Sequence, residues 1–193
     1  GLVGRQAAPS LAALPVVVLL SAAWLLAERS NIMLAHIVLW PALTLAVVWA
    51  GAGAAAARVM AFPVGFLYFA VPIWEVLKPP LQAVASVTVG FMTERVGVQA
   101  IVEGPYVLLP RVTVYIALDC SGAHFFSVAL AVGALAGELR RDGWKMRLGI
   151  LVFAAALSMV FNWLRIFLIV LAYLHPDLKE MLEAMGHYTF GWW

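Results

Sequence analysis

Apolar stretches alternate along this chain with short polar or glycine-bearing connections, and most are long enough to cross a hydrocarbon core about 30 Å thick, which takes roughly 17 to 25 helical residues. The pattern predicts spans over 11–27, 32–50, 59–74, 121–137 and 148–174, with a further one opening over 187–193. The third is slightly short and carries Pro63 and Pro72. Residues 51–58, rich in Gly and Ala, read as the connection before it. Residues 81–96 mix apolar positions with Gln82, Ser86, Thr88, Thr93, Glu94 and Arg95, as in an amphipathic helix lying at the membrane interface. Residues 97–118 change character again. They are rich in Val, Ile, Tyr and Thr and are broken by Glu103-Gly104-Pro105 and Pro110-Arg111, which is strand and turn chemistry. Open strands cannot face lipid, so this segment is expected to form a small cap outside the bilayer.

Composition agrees with this reading. The 193 residues are 65% hydrophobic and 11% charged, and the mean hydropathy is +0.99. A soluble domain carries roughly a quarter charged residues, so this chain has too little polar surface to cover itself in water. The expected fold is an all-α polytopic membrane protein in one membrane domain, with about six transmembrane helices and a small extracytoplasmic strand-rich cap before the Cys120 helix. The chain begins at Gly1 and ends at Trp193 within an apolar run, so the last span reads as cut short. A net charge of +2 gives no footing for nucleic-acid binding; the expected surroundings are the lipid bilayer.

The distribution of charge is more informative than its sum. Arg140, Arg141, Lys145 and Arg147 crowd one short connection, and basic residues in short loops stay cytoplasmic. Alternation then places Arg5 and Arg58 inside, and Glu28, Glu75, Glu94, Glu103, Asp119, Asp177, Glu180 and Glu183 outside. The cap and Cys120 fall on the outer, extracytoplasmic side of the cell membrane.

Cys120 is the sole cysteine, in the string Asp119-Cys120-Ser121-Gly122. It has no partner for an internal disulfide, and a lone thiol at the lipid–water boundary invites a nucleophilic reading. It stands 17 residues before Gly137, and Arg165 stands 17 residues after Leu148. At 1.5 Å per residue both lie about 26 Å up neighbouring helices. His187 opens the next span at the same height. Arg165 sits among apolar residues, where a cation costs on the order of 2.5 to 3.5 kcal/mol at mid-bilayer and usually faces a partner or cavity. Snorkelling to the outer headgroups is its other reading. Asn162 precedes it by one turn on the same helix face. His124, one turn after Cys120, is a second choice of base beside His187; His36 and His175 are assigned to structure. Ionised Asp119 opposes thiolate formation next door unless Arg165 or Arg111 offsets it. One Cys and scattered His residues lack metal-ligand spacing, so neither metal nor cofactor is expected.

The ordered set Cys120-Ser121-Gly122, an apolar helix, a basic loop with Trp144, Asn162-Trp163-Leu164-Arg165 and a later His187 resembles the exosortase/archaeosortase family. The likeness runs upstream through Gly97 to Tyr115, Leu81-Gln82 and Pro72-Ile73-Trp74, covering residues 62–193. It implies a multi-spanning cysteine transpeptidase or endopeptidase. Its partners are membrane-anchored substrate proteins bearing a C-terminal sorting signal, a short motif followed by a transmembrane helix and a basic tail. It further implies Cys120 as nucleophile, Arg165 as stabiliser and His187 as acid/base, with Ser121, His124 and Asn162 in support. The family commonly has a basic residue shortly after Cys-Ser-Gly, where this chain has Ala123-His124. Two other classes remain open: a transporter or channel with Arg165, Asn162 and His36 lining a pathway, favoured by the proline-broken third span, and a non-catalytic assembly subunit.

Overall fold

The computed structural model describes residues 9–174. His175 and His187 therefore lie outside the described residues, as does the expected span over 187–193. The chain divides into two compact units, Gly1–Ile73 and Trp74–Trp193, and each is taken by itself. Among the described residues four helical segments are long and apolar enough to cross a membrane: Leu11–Arg29, Met33–Phe69, Leu118–Leu139 and Trp144–Tyr173.

The first unit is a helical hairpin. Helix α1 (Leu14–Arg29) carries Pro15 in its first turn, where the missing N–H costs nothing. A tight turn with Asn31 at φ 55° leads to α2 (Met33–Phe66). Near the turn the His36 ring lies 4.5 Å from that of Trp24, and its Nε2 is 3.2 Å from Glu28 Oε2. His36 thus contacts both Trp24 and Glu28 of α1.

Helix α2 is drawn differently from the sequence pattern. The expected spans 32–50 and 59–74 are joined by helix rather than by a loop, and the break shrinks to Gly53 alone (φ 84°, ψ 171°). The reason is propensity: the alanines after Gly53 are the best helix formers, whereas only glycine adopts that backbone readily. The expected third span also ends early. Helix stops at Phe66 and continues as short 3-10 turns, Leu67–Phe69 and Pro72–Leu77. Pro72 disfavours α-helical backbone at Val71, which is why the helix does not reach Trp74.

The second unit contains Cys120, Asn162 and Arg165. Helix α3 (Lys78–Arg95) starts three residues earlier than expected, with Pro79 and Pro80 in its first turn. Its Ala85, Ser86, Val89, Gly90 and Thr93 are buried in a stripe at helical spacing. The cap is a three-stranded antiparallel meander of β1 (Ile101–Glu103), β2 (Tyr106–Leu108) and β3 (Thr113–Tyr115), in the order β1-β2-β3. Gly104 at φ 58°, followed by Pro105, makes the two-residue turn between β1 and β2. One face of the sheet packs on α3 and α5 through a core of Ala85, Val89, Ala100, Val107, Leu109, Ile116, Ile166 and Val170. Each such valine or isoleucine contributes about 1.5 to 3 kcal/mol relative to exposure.

Helices α4 (Ala123–Leu139) and α5 (Trp144–Tyr173) form the expected hairpin. The polar loop is shorter than the sequence pattern drew it, because α5 begins at Trp144. Arg147 closes it, donating to Glu138 Oε2 at 2.6 Å and to the Asp142 carbonyl at 2.7 Å. Small residues let the two helices approach: a Cβ on Gly133 would lie 3.4 Å from Ile150, and one on Gly137 3.1 Å from Arg147.

Candidate active site

Strand β3 ends at Tyr115, and five residues later the chain reaches the thiol. Ile116 and Ala117 lead into a 3-10 turn, Leu118–Cys120, and then Ser121. Gly122 follows at φ 90°, left-handed backbone suited to glycine, and α4 begins at Ala123. Cys120 thus stands on a reversal between sheet and helix, partly buried against the edge of the core.

Three side chains from two helices hold this reversal. Asn162 on α5 donates from Nδ2 to the Cys120 carbonyl at 3.1 Å. Its Oδ1 accepts from Arg165 Nη2 at 3.3 Å. A flipped amide would set oxygen against oxygen and nitrogen against guanidinium, so the two partners fix its orientation. Asn162 is only 2% exposed, and both bonds are part-buried. On the other side Lys78 donates to Asp119 Oδ1 at 2.8 Å and contacts Glu75 Oε2 at 2.7 Å. Gln82, one turn along α3, donates to the Ile116 carbonyl at 2.6 Å.

The Gln82 bond has a cause in the sheet. Ile116 N–H donates to the Pro105 carbonyl at 2.9 Å, continuing the register in which Tyr106 faces Tyr115 and Val107 faces Val114. An antiparallel pair in that position exchanges two bonds. Proline has no N–H to return, so the Ile116 carbonyl lacks its ladder donor and Gln82 supplies one.

Electrostatics follow from these contacts. The Asp119 bond, then the Glu75 bond, hold the Lys78 ammonium above the ordinary lysine range of 10.5, against a smaller opposing effect of burial. Lys78, rather than Arg165 or Arg111, is therefore the partner that offsets Asp119. Arg165 is partly buried and held inward. Its Cζ lies 5.3 Å from the Phe125 ring centroid on α4, a cation–π distance. Its Nε is buried without a hydrogen-bond partner among the described residues. These contacts oppose the snorkelling reading and commit only one of the five guanidinium N–H donors to a hydrogen bond among the described residues.

The sequence-derived residues fare unequally. Cys120, Asn162 and Arg165 are brought into one connected arrangement. Ser121 is fully buried and its Oγ faces the Ala123 N–H at 3.4 Å, so its hydroxyl serves the start of α4. His124 is exposed. The expected one-turn relation between Cys120 and His124 presupposed a continuous helix, and left-handed Gly122 breaks it. Lys78 and Gln82 are the residues sequence reasoning missed as site components. Proline at a position paired with a carbonyl was the available signal for Gln82; nothing local pointed to Lys78. Among the described residues no group of three or more His, Cys, Asp or Glu side chains is placed to hold a metal ion.

Compared with known families, residues 2–193 match the sequence model of the transmembrane exosortases. No curated protein and no solved structure matches the chain.

Proposed function

The chain belongs to the transmembrane exosortase family, and on that premise we propose that it is a multi-pass membrane cysteine transpeptidase that cleaves C-terminal sorting signals of membrane-anchored proteins. One observation carries the proposal: a single buried amide, Asn162, bonds the carbonyl of the lone cysteine at one end and the intramembrane arginine at the other. A cation that only anchored its helix would have no need of the cysteine's turn.

In this reading the substrate helix lies beside the enzyme, with its scissile peptide at the extracytoplasmic surface. The Cys120 sulfur, having given its proton to a base, attacks the peptide carbonyl carbon. Negative charge moves to the carbonyl oxygen. Arg165 meets it with a guanidinium N–H that Asn162 does not hold; one well-placed donor to such an oxyanion is typically worth about 3 to 4 kcal/mol. Asn162 spends one N–H on the Cys120 carbonyl and so acts chiefly as a positioning residue. When the tetrahedral species collapses, the carbon–nitrogen bond breaks and the amine leaves with the proton that the base had taken. His187 is the residue the family pattern assigns to that transfer. The thioester on Cys120 is then resolved by an acceptor nucleophile or by water.

The test compares membrane proteins of cells carrying the wild-type chain with those carrying Cys120→Ala. The expected result is a set of proteins that keep their C-terminal helices only in the variant. Unchanged processing, with the variant present in the membrane at normal level, contradicts the proposal.

A further inference from the structure

We propose that the free edge of β3 holds the substrate backbone, so that the segment to be cleaved is added to the sheet as a fourth, extended strand; this rests on the activity proposed above. The hydrogen-bond alternation singles out the edge. Leu109 N–H donates to the Val112 carbonyl and Ile116 N–H to the Pro105 carbonyl, and Val107 faces Val114 between them. Residues 112, 114 and 116 thus turn their backbone groups toward β2. In an antiparallel strand the alternate residues turn theirs the other way. The N–H and carbonyl groups of Thr113 and Tyr115 therefore point out along the open edge, where no described residue meets them. The Tyr106–Tyr115 rings, 5.2 Å apart, fit this register, since side chains approach most closely at pairs without mutual hydrogen bonds.

Two further features favour an occupant. Natural proteins blunt open edges with charge, proline or bulges. Thr113-Val114-Tyr115 carries neither charge nor proline, and all three residues are strong strand formers. The edge also leads straight to the thiol. Cys120 is the fifth residue after Tyr115, and the last three of those five form a 3-10 turn. The two α-carbons are then at most about 13 Å apart from the rise per residue of strand and 3-10 helix. An extended peptide covers that distance in about four residues. A chain whose carbonyl sits at the thiol is therefore within reach of Thr113 and Tyr115. Backbone pairing recognises any extended peptide, which leaves sequence choice to side-chain contacts.

The probe is a membrane protein whose processing is lost in the Cys120→Ala strain. In that background, p-benzoylphenylalanine in place of Thr113 is expected to photo-cross-link this protein within about four residues of its cleavage site. Cross-linking instead to a second copy of the chain, to the chain's own residues beyond 174, or to no such protein overturns the proposal. In the active background, Tyr115→Pro removes the outward N–H without touching a ladder bond. It is expected to lower kcat/KM at least tenfold below that of Tyr115→Phe, with Cys120 alkylated by iodoacetamide at equal rates in both. Equal cleavage by the proline and phenylalanine variants sinks strand addition and leaves the proposed activity standing. If no protein's processing depends on Cys120, the activity itself fails. If Tyr115→Pro does not fold, the cross-link decides.

Discussion

Gly122→Ala offers a quantitative test of how the thiol's turn is held. Two separable costs arise. Alanine at φ 90° pays a left-handed backbone penalty of about 1 to 2 kcal/mol. Its Cβ would also lie 2.8 Å from Asn162 Nδ2 and 2.9 Å from Asn162 Cγ, closer than packed atoms come. The third neighbour, Met159 Cε at 3.0 Å, is the end of a flexible chain and can yield. Asn162 cannot move without releasing the Cys120 carbonyl and Arg165, and an unsatisfied buried polar group costs about 1 to 3 kcal/mol. The variant should therefore lose about 2 to 5 kcal/mol. Asn162→Ala alone, which carries no backbone penalty, should lose about 1 to 3 kcal/mol through the same released contacts. In the double variant the clash is gone and the bonds are lost only once. Its cost should fall short of the sum of the singles by about 1 to 3 kcal/mol, the coupling expected of residues in contact. The assay is equilibrium unfolding in mixed micelles, with the rate of Cys120 alkylation as a local readout. Additivity within about 0.5 kcal/mol would refute the claim that Gly122 is small because Asn162 occupies its space.

Three further outcomes follow from the site. Pro105→Ala restores a backbone N–H opposite Ile116, so Gln82→Ala should cost less in that background than in wild type, by about 1 kcal/mol, the worth of one hydrogen bond; equal costs would contradict the ladder argument. Lys78 gains its partners on folding and its pKa rises, so its contribution is complete below pH 10.5 and is lost as pH climbs through the raised value. Unfolding free energies of wild type and Lys78→Met should therefore converge in the alkaline range above pH 10.5, with a gap below it of at most about 1 kcal/mol because Asp119 is solvent-exposed; a gap that widens with pH contradicts this. Arg165→Gln should lower kcat on the order of 10² to 10³-fold in single-turnover cleavage with little change in KM, whereas an anchoring cation would leave kcat intact.

What the sequence revealed followed the range of the interaction. Asn162 and Arg165 are three residues apart on one helix, so helical periodicity alone put them on a shared face. The α4–α5 hairpin was legible from its short basic loop, and the cap from its β-branched residues and turn signals. The alanines after Gly53 misled because glycine and alanine side by side look like a flexible connection, although one breaks a helix and the other builds it. His124 was placed one turn after Cys120 because periodicity was carried across Gly122, whose left-handed backbone cannot be read from composition. Lys78–Asp119 and Gln82–Ile116 join residues 41 and 34 positions apart. Such pairs depend on how α3 docks against the sheet, which no local pattern encodes.

The proposed activity requires that Cys120 form a thioester with its substrate. The most direct measurement is mass analysis of the Cys120 peptide after rapid acid quench of the enzyme with its membrane-anchored substrate. The account predicts an adduct on Cys120 equal in mass to the substrate residues preceding the cleaved bond, labile to hydroxylamine and accumulating when the acceptor is withheld. Substrate cleaved at normal rate by the Cys120→Ser and Cys120→Ala variants, with Cys120 unmodified throughout turnover in the wild type, would contradict it.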